Sequence, residues 1–157
     1  MLKVVSGGQT GVDRAALDAA LELGIECGGW CPGDRLAEDG AIPDIYPVQE
    51  LERAGYRERT RQNVIDSDGT VIFFFTEPTG GTRQTIEFCL QALKPHLLVD
   101  AVTQTIEQAA RSISDFISGH EIATLNVAGP RASQEPKAYD YAKEVIMKVI
   151  ALQIDTA

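Results

Sequence analysis

The residues best suited to chemistry begin with a glycine-rich loop, Gly7-Gly8-Gln9-Thr10-Gly11, between an apolar strand over residues 2–6 and a helix over 13–23. Glycines let the chain turn sharply and let a ligand approach the main chain. The first turn of the helix then presents unpaired N–H groups and the positive end of the helix dipole, which together favour an anion. The spacing of Thr10 and Asp13 predicts that Thr10 caps the helix. The loop predicts an anion site, and the alternative is a tight turn without a ligand.

This loop excludes two common nucleotide motifs. No Gly-Lys-Ser/Thr follows it, so it is not a P-loop. Its Gly-Gly-x-x-Gly spacing also differs from the dinucleotide fingerprint, which requires an acid at the end of the second strand. The chain has Trp30-Cys31-Pro32 at that place. The sequence therefore predicts neither an NTPase nor an ordinary dehydrogenase.

Two further glycine segments follow predicted strands. Gly80-Gly81-Thr82-Arg83 comes after the strand over 70–75, and Gly129-Pro130-Arg131 comes after the strand over 122–127. Strand-to-helix loops of a parallel sheet leave from one edge, where ligands bind. We therefore expect the three glycine segments to share one anionic, phosphate-bearing ligand. One phosphate would lie at residues 8–11 and another anionic portion at residues 80–82, and Arg83 and Arg131 would neutralise charge.

The loop after the second strand offers a different kind of contact. Trp30 can stack on a planar ring, and Arg35 can read the ring's polar edges. The alternative for Trp30 is that it closes the end of the core. The surrounding segment, residues 31–69, is rich in loops, and a loop-rich segment of this length inside one domain tends to be functional.

No metal site is predicted. Cys27 and Cys31 have a spacing that can hold a metal, but no second Cys/His pair accompanies them. Cys89 falls in a helical apolar pattern and is predicted to be a core residue.

Alternating strands and helices must position these loops. Five apolar runs predict buried strands over 2–6, 25–30, 70–75, 96–100 and 122–127. Helical patterns are predicted over 13–23, 50–61, 83–93, 103–118 and 137–153. This alternation predicts a single α/β domain over residues 1–157, with a Rossmann-like three-layer α/β/α architecture and a mostly parallel sheet of five core strands.

The composition of the chain limits the kinds of partner that it can bind. The chain has 157 residues, a formal net charge of −9 and 44% hydrophobic residues. The negative charge argues against non-specific nucleic-acid binding but leaves an anionic small molecule possible, because local charge decides that. No apolar run reaches the ~18 residues of a membrane helix. The first residues enter a strand without a basic and apolar leader, so we expect a cytoplasmic protein.

Several segments together resemble the putative molybdenum carrier family: residues 7–18, Gly29-Trp30-Cys31-Pro32, Arg35-x-x-Glu38-Asp39-Gly40-x-Ile42-Pro43, and residues 66–70, 80–82 and 126–131. The resemblance covers nearly the whole chain. It implies a Rossmann-like fold and self-association into a homo-oligomer. It also implies binding of a phosphorylated pterin- or nucleotide-like ligand, such as the molybdenum cofactor, or of an oxyanion such as molybdate.

The same resemblance leads to a wider group that includes cytokinin-activating phosphoribohydrolases. Their motif, Pro-Gly-Gly-x-Gly-Thr-x-x-Glu, aligns with residues 79–87, where Thr79, Arg83 and Gln84 depart from it. Glu87 would be the acid, and Arg59 or Arg61 the companion arginine. Three functions therefore stay open: a carrier of a phosphorylated ligand, a nucleoside-monophosphate N-glycosidase, and a molybdate or oxyanion binder.

Overall fold

A five-stranded parallel sheet forms the centre of the fold. The computed structural model describes residues 1–78 and 80–156, so Thr79 of the aligned hydrolase motif and Ala157 lie outside the described residues. In chain order the elements are β1 (Lys3–Val5), α1 (Val12–Glu22), β2 (Cys27–Gly28), β3 (Trp30–Cys31), a 3-10 turn (Gly33–Arg35), β4 (Leu36–Ala37), β5 (Gly40–Ala41), β6 (Gln49–Glu50), α2 (Tyr56–Asp66), β7 (Gly69–Phe74), α3 (Gly80–Gln91), β8 (His96–Asp100), α4 (Ile106–Gly119), β9 (Thr124–Ala128) and α5 (Ala138–Thr156).

The strands of the central sheet lie in the order β2-β1-β9-β7-β8, and every neighbouring pair is parallel. β9 lies between β1 and β7, where Leu125 is opposite Val4 and Asn126 is opposite Thr70. Apolar residues on both faces of the inner strands explain why these short runs form buried strands. The predicted α/β fold with a five-stranded parallel sheet is confirmed.

Helices cover both faces of the sheet. On one face Val71, Phe73 and Leu125 pack with the buried sides of α1, α4 and α5 in the main core. Side chains alternate along a strand, so the intervening residues of β7 point to the other face. There Val64 of α2 packs with Phe88 and Cys89 of α3 in a smaller cluster. Cys89 is fully buried, which confirms its predicted place in the core.

The predicted strand over 25–30 is divided at Gly29. This glycine has φ +126°, and a Cβ there would lie 2.1 Å from the carbonyl oxygen of Ser6. The chain turns at this point, and β3 pairs with β6 in a separate two-stranded sheet. Of the predicted strand, Cys27 and Gly28 lie in the central sheet, whereas Trp30 belongs to the separate sheet.

The segment between β3 and α2 also differs from the prediction. Glu50 lies in β6, and the helix predicted over 50–61 begins only at Tyr56 and continues to Asp66. The carboxylate of Glu58 accepts a hydrogen bond from the N–H of Gly55 at 3.0 Å, which stabilises the start of this helix. The prediction of the helix start was wrong because the polar residues of β6 pair with a distant strand.

None of the described helices is long and apolar enough to cross a membrane.

Candidate functional site

A cleft of about 510 Å³ opens at the carboxyl ends of the central strands. Its walls come from four parts of the chain: the loop after β1, the helix α2, the segment after β7 with the start of α3, and the segment after β9. The lining side chains and loops include Gly7, Gln9, Asp13, Tyr56, Arg59, Asn63, Gly80, Gly81, Thr82, Gln84, Asn126, Gly129 and Arg131. The three predicted glycine segments therefore do meet at one edge, as expected from a parallel sheet.

A carboxylate from the first turn of α1, that of Asp13, binds the first glycine loop. Asp13 is 5% exposed, and its Oδ2 accepts a hydrogen bond from the N–H of Gln9 at 3.2 Å. The Nη1 atom of Arg59 lies 3.2 Å from the same oxygen. Burial raises the pKa of Asp13 above its usual 3.8, and the charge of Arg59 opposes that rise. The N–H of Gln9, which we expected to receive a ligand phosphate, donates to Asp13 instead.

Thr10 does not cap α1, so that prediction was wrong. The N-cap residue is Gly11. The hydroxyl of Thr10 donates to Glu38 and accepts from the N–H of Ala132 at 3.2 Å. Thr10 therefore connects the first glycine loop to the segment after β9.

The amide group of Gln9 has a fixed orientation. Its Oε1 accepts hydrogen bonds from the N–H of Thr10 at 3.1 Å and from the N–H of Glu38 at 2.9 Å. Because Oε1 accepts both of these hydrogen bonds, Nε2 is the amide atom that is left to bind another group. This nitrogen is buried and has no hydrogen-bond partner among the described residues. A buried donor without a partner is costly, so it marks a place where a ligand atom would be stabilising.

Two arginines contact the ring of Tyr56 inside the cleft. The guanidinium carbon of Arg131 lies 5.2 Å from the ring centroid, and that of Arg59 lies 5.7 Å from it. Both distances are in the range of cation–π contacts. Arg59 also pairs with Asp13, whereas Arg131 forms no ion pair with a carboxylate of the described residues. Arg131 is therefore the cationic side chain of the cleft that remains available for an anion.

Glu38, at the turn between β4 and β5, holds two walls of the cleft together. Its carboxylate accepts hydrogen bonds from the hydroxyls of Thr10 and Ser133 and from the N–H of Ser133 at 3.2 Å. These bonds, the one from the Ser133 hydroxyl first, lower the pKa of Glu38 below its usual 4.5. Next to it, Asp39 accepts two hydrogen bonds from Arg14, at 2.6 and 2.8 Å. The hairpin is thus attached to α1 and to the segment that carries Arg131.

The second glycine segment is helical rather than a loop. Gly80 and Gly81 form the first turn of α3, and Thr82 lies within that helix instead of capping it. The hydroxyl of Thr85 donates to the carbonyl of Gly81 at 2.9 Å. The first N–H groups of a helix have no partner inside the helix, so this turn presents donors to the cleft. Arg83, predicted to neutralise the ligand, is exposed and lies outside the cleft.

The structure places Trp30 and Arg35 away from the cleft. The N–H and carbonyl of Trp30 bond to the side chain of Asn63, and its indole N–H donates to Asp66 at 2.7 Å. The guanidinium of Arg35 donates to four backbone carbonyls, those of Ile42, Pro43, Tyr46 and Val48. Both side chains hold the segment between β3 and α2 in place.

Gly8 and Gly11 support the first loop without lining the cleft. Gly8 has φ +78° and lies against Ile42, and Gly11 has φ +81° and lies against the carbonyl of Pro130. Glu87, the acid of the aligned hydrolase motif, is exposed on α3 and lies outside the cleft. Of the two companion arginines considered, Arg59 lines the cleft and Arg61 is exposed outside it. No group of side chains suited to a metal ion occurs among residues 1–78 and 80–156.

Comparison with known proteins identifies the family of the chain. A model of the circularly permutated YpsA SLOG family matches residues 4–150. The chain belongs to this family. A crystal structure described as that of a putative molybdenum carrier protein from Syntrophus aciditrophicus SB is 43% identical, has a TM-score of 0.93, and covers 96% of this chain and 95% of its own. No functionally curated protein matches the chain. The resemblance to the putative molybdenum carrier family is thereby confirmed.

In this member of the circularly permutated YpsA SLOG family, sequence reasoning missed part of the cleft. Tyr56 and Asn63 lie on α2, within the loop-rich segment that its length marked as functional. Their roles depend on contacts with Arg59, Arg131 and Trp30, which are distant in the sequence. Asn126, which also lines the cleft, lies in the middle of β9 and belongs to the segment 126–131 that carried part of the family resemblance.

Proposed function

We propose that the chain is a carrier that binds an anionic, molybdenum-related small molecule in the cleft at the carboxyl edge of its sheet. The ligand is a phosphate-bearing pterin- or nucleotide-like molecule such as the molybdenum cofactor, and the alternative is molybdate itself. The observation that carries the proposal is the position of Arg131 in the cleft. This arginine lines the same cavity as the first turn of α3 and has no ion-pair partner among the described residues.

Five charged side chains line the cleft, the arginines Arg59 and Arg131 and the carboxylates of Asp13, Glu77 and Glu135, so an anion site is confined to the surroundings of Arg131. Asp13 and Arg59 neutralise each other. The carboxylate of Glu135 accepts a hydrogen bond from the N–H of Lys137 at 3.2 Å, and Glu77 is exposed. Arg131 and the first N–H groups of α3 are then the strongest partners for an anion, because charge-assisted hydrogen bonds are about twice as strong as neutral ones.

The size and lining of the cleft fit an organic ligand better than a bare oxyanion. A volume of about 510 Å³ lies in the range of small-molecule sites. Besides Arg131, the lining includes three buried or half-buried polar side chains, those of Gln9, Arg59 and Asn126, which we call the inner end of the cleft. We infer that the phosphate lies toward Arg131 and Thr82, and that a ring system extends toward Gln9. The name of the structural relative, a putative molybdenum carrier, supports a molybdenum-related ligand.

The N-glycosidase alternative has no comparable support. Its acid, Glu87, is on the exposed side of α3, while the cleft has Gln84 on the same helix. A general acid must come within hydrogen-bond reach of the leaving group. We therefore favour binding without cleavage.

Isothermal titration calorimetry tests the proposal with molybdate, inorganic phosphate and inosine 5′-monophosphate as probes. We expect at least one probe to bind the wild type. We expect Arg131→Ala to weaken that binding at least about tenfold, since a hydrogen bond to a charged group contributes about 1.5–3 kcal/mol.

Arg111→Ala is the matched control, because Arg111 is an exposed arginine of α4 far from the cleft lining. It should bind as the wild type does. Absence of binding by all three probes would contradict the carrier proposal. Equal affinities of Arg131→Ala and the wild type would mean that the anion binds to another part of the molecule.

A further inference from the structure

We propose that the inner end of the cleft is a subsite that selects a hydrogen-bond acceptor, namely the exocyclic oxo group of a heterocycle, through the Nε2 amide nitrogen of Gln9. The inference rests on the proposed function, and it specifies the chemical class of the ligand's ring. A ring with an oxo group at this position would bind, and a ring with an amino group there would be rejected.

Gln9 cannot present its oxygen to a ligand. Its Oε1 already accepts from the N–H groups of Thr10 and Glu38, at 3.1 and 2.9 Å. Rotation of the amide would bring NH₂ against two N–H donors and would lose both bonds. The side chain is 5% exposed and lines the cleft, so Nε2 is a fixed donor at the inner wall.

The described part of the protein offers Gln9 Nε2 no hydrogen-bond partner. Among residues 1–78 and 80–156 no acceptor bonds to Gln9 Nε2, and none bonds to Nε of Arg59. Both side chains line the same cleft and belong to residues joined to Oδ2 of Asp13, Gln9 through its main chain and Arg59 through Nη1. An oxo group that accepts from Gln9 removes the cost of a buried unpaired donor.

The two arginines of the cleft differ in how their charge is balanced. The positive charge of Arg59 is balanced by Asp13 at 3.2 Å, so the inner end is close to neutral. The cation available for a phosphate, Arg131, is on the segment after β9. A neutral oxo group therefore suits the inner end, and the anionic group suits the end near Arg131. An amino group at the inner end would set donor against donor, and sites of this kind discriminate strongly.

The hairpin formed by β4 and β5 keeps this donor in place. Glu38 donates its N–H to Gln9 and accepts hydrogen bonds from Thr10 and Ser133 with its carboxylate. The orientation of Gln9 is thus set by a residue outside the cleft. The subsite is formed before the ligand arrives, which reduces the entropy lost on binding.

Two nucleotides that differ at one ring position test the inference. Inosine 5′-monophosphate has an oxo group at position 6, and adenosine 5′-monophosphate has an amino group there. Calorimetry on the wild type should give at least about tenfold tighter binding of the inosine nucleotide. Gln9→Glu keeps Oε1 and replaces the donor with an acceptor, and we expect it to remove or reverse the preference.

Gln134→Glu adds the same charge to the cleft lining without changing Gln9. It should weaken both nucleotides by similar factors and keep their ratio. Equal affinity of the wild type for the two nucleotides, or tighter binding of the adenosine nucleotide, would overturn the subsite and leave the carrier proposal intact. Binding of molybdate or phosphate but of neither nucleotide would do the same. Absence of binding by every probe would overturn both. The wild-type ratio does not depend on how well any variant folds.

Discussion

The guanidinium of Arg59 occupies the space beside Gly7 that any larger residue would need. A Cβ atom at position 7 would lie 1.7 Å from Nη1 and 2.4 Å from Cζ of this arginine. The same Nη1 atom pairs with Asp13, which is buried. A larger residue at this position would displace a side chain of α2 from its ion pair, whereas Gly7 has no positive φ that would itself favour glycine.

We expect Gly7→Ala to lower the free energy of unfolding by about 3 kcal/mol, because it displaces Arg59 and leaves the Asp13 carboxylate buried without its cation. Urea denaturation followed by the fluorescence of the single tryptophan measures this change. Gly119→Ala is the control, since a Cβ there meets nothing within 4 Å. Wild-type stability of Gly7→Ala would show that Arg59 has another position of equal energy.

Arg35→Ala should reduce stability rather than ligand affinity. The four carbonyl groups that Arg35 binds belong to the segment between β5 and β6, so its removal takes a charged donor away from each of them. We expect a loss of about 2–3 kcal/mol in the free energy of unfolding, based on hydrogen bonds from a charged donor. The exposed Arg61→Ala should cost far less. Loss of ligand binding at unchanged stability would support the ligand contact that the sequence predicted for Arg35.

Glu38 should make the protein less stable in acid. Its pKa in the folded protein lies below the usual 4.5, mainly because Ser133 and Thr10 donate hydrogen bonds to the carboxylate. The stabilisation is therefore present above pH 4.5 and is lost as the pH falls through the folded-state pKa. We expect Glu38→Gln to lose less stability than the wild type on acidification.

Urea titrations at a series of pH values from neutral to acid measure this difference in slope. Glu87→Gln removes an exposed carboxylate that has no hydrogen-bond partner among the described residues, and it should keep the wild-type slope. Identical slopes for Glu38→Gln and the wild type would mean that the three hydrogen bonds to Glu38 do not persist in solution.

Val12 and Gly129 should be energetically coupled. A Cβ at position 129 would lie 2.6 Å from Cγ2 of Val12, which is fully buried at the start of α1. Each single change to alanine should cost about 2 kcal/mol, Gly129→Ala by overpacking and Val12→Ala by lost burial. In Val12→Ala/Gly129→Ala the new methyl group takes space that Val12 vacates.

The double variant should therefore be more stable than the sum of the single effects by at least about 1 kcal/mol, a coupling that a double-mutant cycle detects. Additive effects would contradict the close approach of the two segments. Val99→Ala combined with Gly129→Ala is the additive control, because Val99 lies on β8, which does not pair with β9.

The parts of the fold that depend on local pattern could be predicted from the sequence. The apolar run over 70–75 lies almost entirely within β7, and the run over 122–127 largely coincides with β9. The meeting of three glycine segments at one edge followed from the parallel sheet. What the sequence did not reveal depends on pairing between distant residues: β3 with β6, Arg35 with carbonyl groups, and Tyr56 with Arg131.

The hydrogen-bond partners of the glycine loop could also be predicted only in part. Its spacing predicted donors for an anion, and donors are present, but Asp13 already accepts from one of them. The spacing of Thr10 and Asp13 suited a helix cap, but Asp13 accepts from the N–H of Gln9, one residue earlier, and spacing alone could not distinguish the two arrangements. The contribution of Arg59 to the same carboxylate comes from α2 and has no local signal.

The place of β9 between β1 and β7 has a consequence for how the protein is made. During synthesis the first strand leaves the ribosome long before residues 124–128, which must lie beside it. Until then the two halves of the sheet expose unpaired backbone at what will become the middle of the protein. Assembly therefore waits for a late segment, contacts of such long sequence separation make folding slow, and the growing chain depends on protection from aggregation in the interval.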